Sequence, residues 1–308
     1  MDLPYFDPSM TGALFEGHYH ASPKQPTDGR TFIEKLKRSI APVKYAKTQA
    51  AAGLERAGGI GDAFKQLVEN GFPENIAAPL AYECLNGERH INNLMSIFSI
   101  AEKNSSDEVM KKSPSDEFIN SFIPYAQDVV EEKMQERWAK LLLGEMEAPG
   151  SFSRMTMNAL SKMQQDDAQL FERLCSTSLY STLPNGTINS LVPVLDSSTE
   201  NGGSYNDGSL RLVDMGVLES LGLITTTLSQ TFTIQPNSSI LFQGDESVFI
   251  LRNPEASKTE LELGSVIVLK PGTELALLCK VGNAIDLENR LEAKCADNSL
   301  EFNCIEKQ

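Results

Sequence analysis

The sequence predicts an α+β protein: a mostly helical N-terminal domain followed by a small α+β domain with a winged-helix-like layout. Three observations predict it. Apolar residues recur every three to four positions through most of residues 31–176, as they do on one face of a helix. Composition then turns Ser-, Asn- and Gly-rich over residues 181–208. Beyond that point, runs rich in β-branched residues alternate with turn residues, the pattern of short strands. The expected organisation is a flexible arm at 1–30, a helical domain at 31–180, a linker or long loop at 181–208 and a small α+β domain at 209–308.

Residues 1–30 mix Pro, Gly and polar residues with scattered aromatics (Tyr5, Phe6, Phe15, Tyr19), too little apolar bulk for a core. His18 and His20 with Glu16 form a weak metal-binding candidate there, and neither a metal nor a cofactor is expected. From Thr31 to about Arg56 the pattern is helical, broken at Ala41-Pro42, with Phe32, Leu36 and Ile40 on one side. The run Gly58-Gly59-Ile60-Gly61 follows a helix and lacks the Lys-Ser/Thr of a phosphate loop, so it reads as a helix break. Two more helices are expected, Asp62 to Val68 and Pro73 to Lys103, the second amphipathic through Ile76, Leu80, Leu85, Leu94 and Ile97. Glu88, Arg89, His90 and Asn92 place polar groups along its middle. They are a candidate buried polar cluster, read as a hydrogen-bond network between helices. A polar loop leads on to Ser115.

The stretch from Asp116 to Ser153 is the densest in apolar periodicity and holds the sole tryptophan. Phe118, Phe122, Tyr125 and Val129 share one helical face; Met134, Trp138, Leu141 and Leu142 share another, rotated from the first. One straight helix would smear these faces around its barrel, so the spacing predicts two helices that part near residue 128. Asp128 with Glu131 three residues on suits an N-cap, and Glu131 and Glu132 suit the positive end of a helix dipole. Pro124 is expected to kink or shorten the first helix, and Pro149-Gly150 to end the second. Trp138 reads as a core anchor. Ser151 or Ser153 can cap a third helix from Arg154.

After it come helices from Arg154 to Met163 and Asp166 to Ser176. Leu210 to Ile224 reads as a helix closing at Gly222. Strands are expected at Thr231–Ile234, Ile240–Gln243, Val248–Arg252 and Leu261–Leu269, a short helix opening at Pro271, a helix at Asp286–Ala296 and a last strand at Leu300–Ile305. A helix followed by paired strands is the helix-plus-wing layout. In nucleic-acid readers of that kind the helix carries basic or amide side chains to the groove. This one offers Arg211 against Asp214 and Glu219, so its charge opposes phosphate.

The chain carries a net charge of −15 over 308 residues, which argues against a basic coat for duplex DNA. Basic residues cluster, however, between Lys24 and Lys47. Arg30, Lys35, Lys37, Arg38, Lys44 and Lys47 are the candidate interaction surface in that segment. Cys84, Cys175, Cys279, Cys295 and Cys304 include no C-x-x-C pair, which excludes a standard zinc ribbon and fits buried thiols in a reducing cytoplasm. Carboxylates and Gln135 on the central helices lack H-E-x-x-H or E-x-x-H spacing, so they read as a solvated face and no catalytic set is assigned. A Cys84–His90 pair, six residues apart, does not share a helix face. No membrane span is expected, and the protein is placed in the cytoplasm.

The run Glu131-Glu132-Lys133-Met134-Gln135-Glu136-Arg137-Trp138-Ala139-Lys140-Leu141-Leu142, then Glu145 and Pro149-Gly150-Ser151-Phe152-Ser153, resembles the signature of the bacterial family DUF2806, a domain of unknown function. Glu88-Arg89-His90 with Asn92, and Asp167-Ala168-Gln169-Leu170-Phe171, extend the likeness over about residues 75–300. Val130 stands where a small polar cap would be expected in that family. The resemblance implies an accessory protein of bacterial genomes, with phage defence as an analogy, and carries no established activity.

The expected function is therefore a non-enzymatic interaction or regulatory protein that self-associates or binds a protein partner. The alternative is a nucleic-acid-associated protein that contacts phosphate through Lys35 to Lys47.

Overall fold

The structure, a computed structural model, describes residues 31–37, 60–69, 73–182, 188–198, 204–205, 210–226 and 230–307. The expected arm at 1–30, the break at Ala41-Pro42 and the pair Gly58-Gly59 lie outside them. By internal packing the chain divides into two compact units, Met1–Pro149 and Gly150–Gln308.

In the first unit a helical stretch at 32–37 buries Phe32, Ile33 and Leu36. Two helices follow, α1 (Ile60–Glu69) and the long α2 (Glu74–Asn104). The polar loop after α2 contains one 3-10 turn, Val109–Lys111, that tucks Met110 inside. Next come α3 (Asp116–Ala126) and α4 (Glu132–Glu147), the pair that the two rotated apolar faces predict. Ser115 caps α3 by accepting from the Phe118 amide at 3.1 Å. Pro124 lies in its last turn, and the helix stops two residues later. The cap of α4 differs from expectation: Glu131, not Asp128, accepts from the Lys133 and Met134 amides at 3.1 and 2.9 Å. A glutamate reaches its own N-terminal amides here because the backbone at Glu131 is extended.

Phe122 is the centre of this unit. Its ring meets Phe118 at 5.6 Å and Phe98 of α2 at 6.5 Å, and stands edge-on to Trp138 of α4 at 5.3 Å and 77°. Trp138 is fully buried, and its indole N–H has no hydrogen-bond partner among the described residues. It is an apolar anchor, as its neighbours at helical spacing imply.

The second unit starts with α5 (Arg154–Lys162) and α6 (Gln165–Ser176). Ser153 caps α5 through the Thr156 amide. The division at Pro149 falls earlier than the composition change at 181–208, and these two helices hydrogen-bond to α8 (Lys270–Ala276) and to the loop after it. Glu274 accepts from the Ser153 amide at 2.6 Å and from the Thr156 hydroxyl. The Ser176 carbonyl accepts from the Ala284 amide at 3.0 Å. The expected linker is itself strand-forming: β1 (Ser178–Thr182) pairs antiparallel with β2 (Ile188–Pro193) from Ser178↔Pro193 to Thr182↔Ile188. Short β3 (Ser197–Ser198), β4 (Ser204–Tyr205) and β5 (Leu210–Arg211) make a separate three-stranded sheet.

Helix α7 (Leu212–Ser220) starts two residues later than expected, since Leu210 and Arg211 are in β5. It ends at Gly222 (φ +74°), with the Leu223 amide donating to Leu218 and the Gly222 amide to Glu219, a left-handed C-terminal cap. From there the chain folds back on itself about the turn at 244–246. β6 (Ile224–Thr225) pairs with β11 (Ile267–Val268), β7 (Thr231–Ile234) with β10 (Thr259–Glu262), and β8 (Ser239–Gln243) with β9 (Ser247–Arg252). The single strand expected at Leu261–Leu269 is thus two strands split by Leu263–Val266. Asn253, fully buried, holds the connection between β9 and β10 by donating to the Ile234 and Ser257 carbonyls and accepting from the Glu255 amide.

Helices α8 (Lys270–Ala276) and α9 (Leu287–Asp297) precede the last strand, β12 (Glu301–Glu306). The main sheet has the order β12-β9-β8-β1-β2. That order departs from the helix-plus-wing layout, because β8 and β9 are inner strands of a five-stranded sheet and not a free wing. One face packs Phe242, Phe249 and Leu251 with Leu287, Leu291 and Cys295 of α9.

Candidate functional site

Polar side chains of α2 and α4, Glu131 and Gln135 of the signature among them, converge on the turn between α3 and α4. A helix end leaves carbonyls without partners, and here side chains of α2 and α4 supply them. Asn93 donates from Nδ2 to the Gln127 carbonyl at 2.8 Å. Gln135 donates from Nε2 to the Val129 carbonyl at 2.8 Å and accepts from the Ser96 hydroxyl at 2.7 Å. His90 Nε2 lies 2.8 Å from Asp128 Oδ1, and Arg89 lies 3.5 Å from the same oxygen. Arg89, Asn93 and Ser96 are spaced four and three residues apart, so helical geometry brings them to one side of α2. The Glu131 cap closes the other end of the turn.

Burial separates the parts of this latch. Asn93 and Gln135 are buried, where a polar group left unpaired would cost about 1–3 kcal/mol. Arg89 and Asp128 are exposed and His90 is half-buried, so that ion-pair cluster contributes about 0–1 kcal/mol. The turn therefore owes its shape to amides meeting carbonyls. An apolar side chain stands exposed on it: Val130 is 65% exposed, between the exposed carboxylates of Asp128 and Glu131.

Of the expected polar cluster, the structure places Arg89 and Asn92 at the surface and His90 at its edge; the side chain of Glu88 lies outside the described residues. The network between helices exists, but its buried member is Asn93, the neighbour of Asn92. Sequence reasoning missed Asn93, Ser96 and the role of Gln135. The available signal was polar residues falling on the apolar side of two amphipathic helices. Cys84 belongs to the residues whose side chains are not described, as do His18, His20 and Glu16.

Of the basic segment, Arg30, Arg38, Lys44 and Lys47 lie outside the described residues. Lys35 and Lys37 are half-buried on the helical stretch 32–37, and Lys37 forms an ion pair with Glu102 of α2. In the second unit the carboxylates also meet local donors. The Arg211 guanidinium beside Asp214 holds that carboxyl below its ordinary range, at 2.8 Å. Hydrogen bonds from Thr226 do the same for Glu219. Among the described residues, no group of three or more His, Cys, Asp or Glu side chains is placed to hold a metal ion. No helix among them is long and apolar enough to cross a membrane.

These features define the class: a two-unit α+β protein whose most constrained polar network shapes a turn. The chain belongs to the DUF2806 family, described as a protein of unknown function, whose family model matches residues 83–284. That span takes in the α3–α4 turn, Trp138 and all six nested strands, β6 to β11. No curated protein and no solved structure matches the chain.

Proposed function

We propose that this is a non-enzymatic interaction or regulatory protein that self-associates and presents the α3–α4 turn to its partner. The proposed setting is a bacterial cytoplasmic system, phage defence included, in which the protein is an accessory component. The observation that carries the reading is the way the α3–α4 turn is held. Asn93, Gln135 and Glu131 hold a turn whose tip, Val130, is apolar and 65% exposed. A surface fixed before binding loses less conformational freedom on association. The acidic flanks Asp128, Glu131 and Glu132 favour a partner face that is apolar with a basic rim.

Light scattering on size-separated protein over a wide concentration range tests this. The expected result is concentration-dependent assembly, reduced at least tenfold in affinity by Val130→Asp with the melting temperature unchanged; a tenfold loss corresponds to about 1.4 kcal/mol. A strict monomer at high concentration overturns self-association. The nucleic-acid alternative through Lys35 to Lys47 is less favoured, since Lys37 is already engaged by Glu102. It predicts a gel shift that weakens steeply with salt and disappears when those basic residues are replaced.

A further inference from the structure

The five-stranded sheet ends differently on its two sides. At one edge, β2 pairs with β1 through a ladder whose register shifts between Ser181 and Thr182, and it runs into the buried Pro193. At the other, β12 pairs with β9 from Glu301↔Arg252 to Glu306↔Ser247 without a shift, and no described strand pairs with its far side. Proteins blunt such an edge with proline, lysine or a bulge. The run Phe302-Asn303-Cys304-Ile305 has none of these. Ile305 is 49% exposed, and Leu241, on the same face of the sheet, is 45% exposed.

The ladder fixes which backbone groups face that open side. The Gly244 amide donates to the Ser247 carbonyl at 2.9 Å, which turns the backbone groups of Ser247, Phe249 and Leu251 toward β8. The Lys307 amide donates to the Glu246 carbonyl at 2.8 Å, which turns those of Ile305, Asn303 and Glu301 toward Val248, Ile250 and Arg252. Backbone direction alternates along an antiparallel strand. The amides and carbonyls of Phe302, Cys304 and Glu306 therefore point away from β9, into the open edge.

We propose that β12 pairs antiparallel with β12 of a second copy, about a two-fold axis at Cys304, so that the two sheets become one. This register sets Cys304 opposite Cys304 and Phe302 opposite Glu306, so every outward amide and carbonyl of both strands gains a partner. An axis at Asn303 leaves Glu306 without an opposing strand residue. An axis between two residues sets outward groups against inward ones. The register at Cys304 also brings Glu301 opposite Lys307 at each end of the ladder, and both residues are exposed. Lys307 keeps its bond to the Gly244 carbonyl with one of its ammonium donors. Opposite charges that face each other across strands favour the pairing.

The contact rests on the self-association proposed above but lies on β12, a different surface from the α3–α4 turn. Each copy carries a net charge of −15, so two copies repel through solvent and added salt should strengthen the pairing. The Cα atoms of a hydrogen-bonded antiparallel pair lie about 5.5 Å apart, within the span of a disulfide, so Cys304 can report the register. Cys175 and Cys295 are buried and Cys279 is half-buried, away from this edge on other elements.

The test uses the full-length protein. Sedimentation equilibrium should show a dimer that tightens as salt rises. Copper-phenanthroline oxidation followed by peptide mapping should give an intermolecular Cys304–Cys304 link, absent from Cys304→Ser and formed equally in Val130→Asp. Glu306→Pro removes an outward donor but no bond to β9, and should weaken dimerisation roughly tenfold or more with the melting temperature unchanged. A strict monomer at high protein and salt concentration, a dimer linked only through another cysteine, or a Glu306→Pro protein that dimerises like wild type overturns the proposal. A dimer weakened by Val130→Asp that forms no Cys304 link overturns it as well, and leaves the reading of the α3–α4 turn standing.

Discussion

The two units solve the same problem, fixing polar groups inside a fold, in different ways. In the first, side chains of α2 reach partners more than thirty residues away and clamp the turn between α3 and α4: Asn93 to Gln127, and Ser96 to Gln135. In the second, carboxylates fix helix starts. Asp214 accepts from the Arg211 amide at 2.9 Å, and Glu274 accepts from the Ser153 amide at 2.6 Å. The helical unit supports its turn from outside, whereas the sheet unit builds its supports into element ends. A clamped turn is suited to presenting a surface. A capped helix mainly holds its own register.

The contrast can be sharpened first at Trp138. Replacing it by Ala empties the contact with Phe122 and should cost the helical unit about 3–5 kcal/mol in denaturant unfolding. Trp138→Phe should cost much less, since the indole N–H makes no hydrogen bond among the described residues that would be lost. If Phe proves as damaging as Ala, the residue is more than an apolar anchor.

Glu274 tests the sheet unit. Glu274→Ala leaves the Ser153 amide and the Thr156 hydroxyl without their acceptor, at about 1–3 kcal/mol, read by urea unfolding and faster amide exchange at Ser153. An unchanged exchange rate would mean that the carboxylate does not hold the start of α5.

Asp214 should give the smallest effect, about 1 kcal/mol at neutral pH for Asp214→Asn. Its carboxyl is held below the ordinary value in the folded chain by Arg211, so the ionised form favours folding. That stability is present above the unfolded carboxylate value and is lost as pH falls through the depressed folded value. The wild-type advantage over Asp214→Asn should therefore vanish on acidification. A gap that persists at low pH would assign the effect to shape and not to charge.

Much of the helical unit was legible in order. The rotation between the Phe118–Phe122 face and the Trp138–Leu142 face separated α3 from α4, because side chains three and four apart must share a side of a helix. Strands β7, β8, β9 and β12 were legible from β-branched runs. Residues 178–193 were not, since Ser, Asn and Thr there are poor local signals and the strand exists through pairing with β8, Tyr180 to Gln243. The turn latch was legible only in its neighbourhood: the sequence marked Asn92 as polar, but which of two adjacent asparagines faces inward depends on the phase of α2 against its neighbours.

The sequence by itself determined the α+β class, the family, the helix succession and the apolar role of Trp138, all of which rest on spacing within a few residues. Tertiary structure decided the order β12-β9-β8-β1-β2 and the clamped α3–α4 turn. Each of those joins residues that the chain separates by tens of positions. Local propensity assigns no energy to such a contact; it arises only when packing and hydrogen bonding bring the elements together.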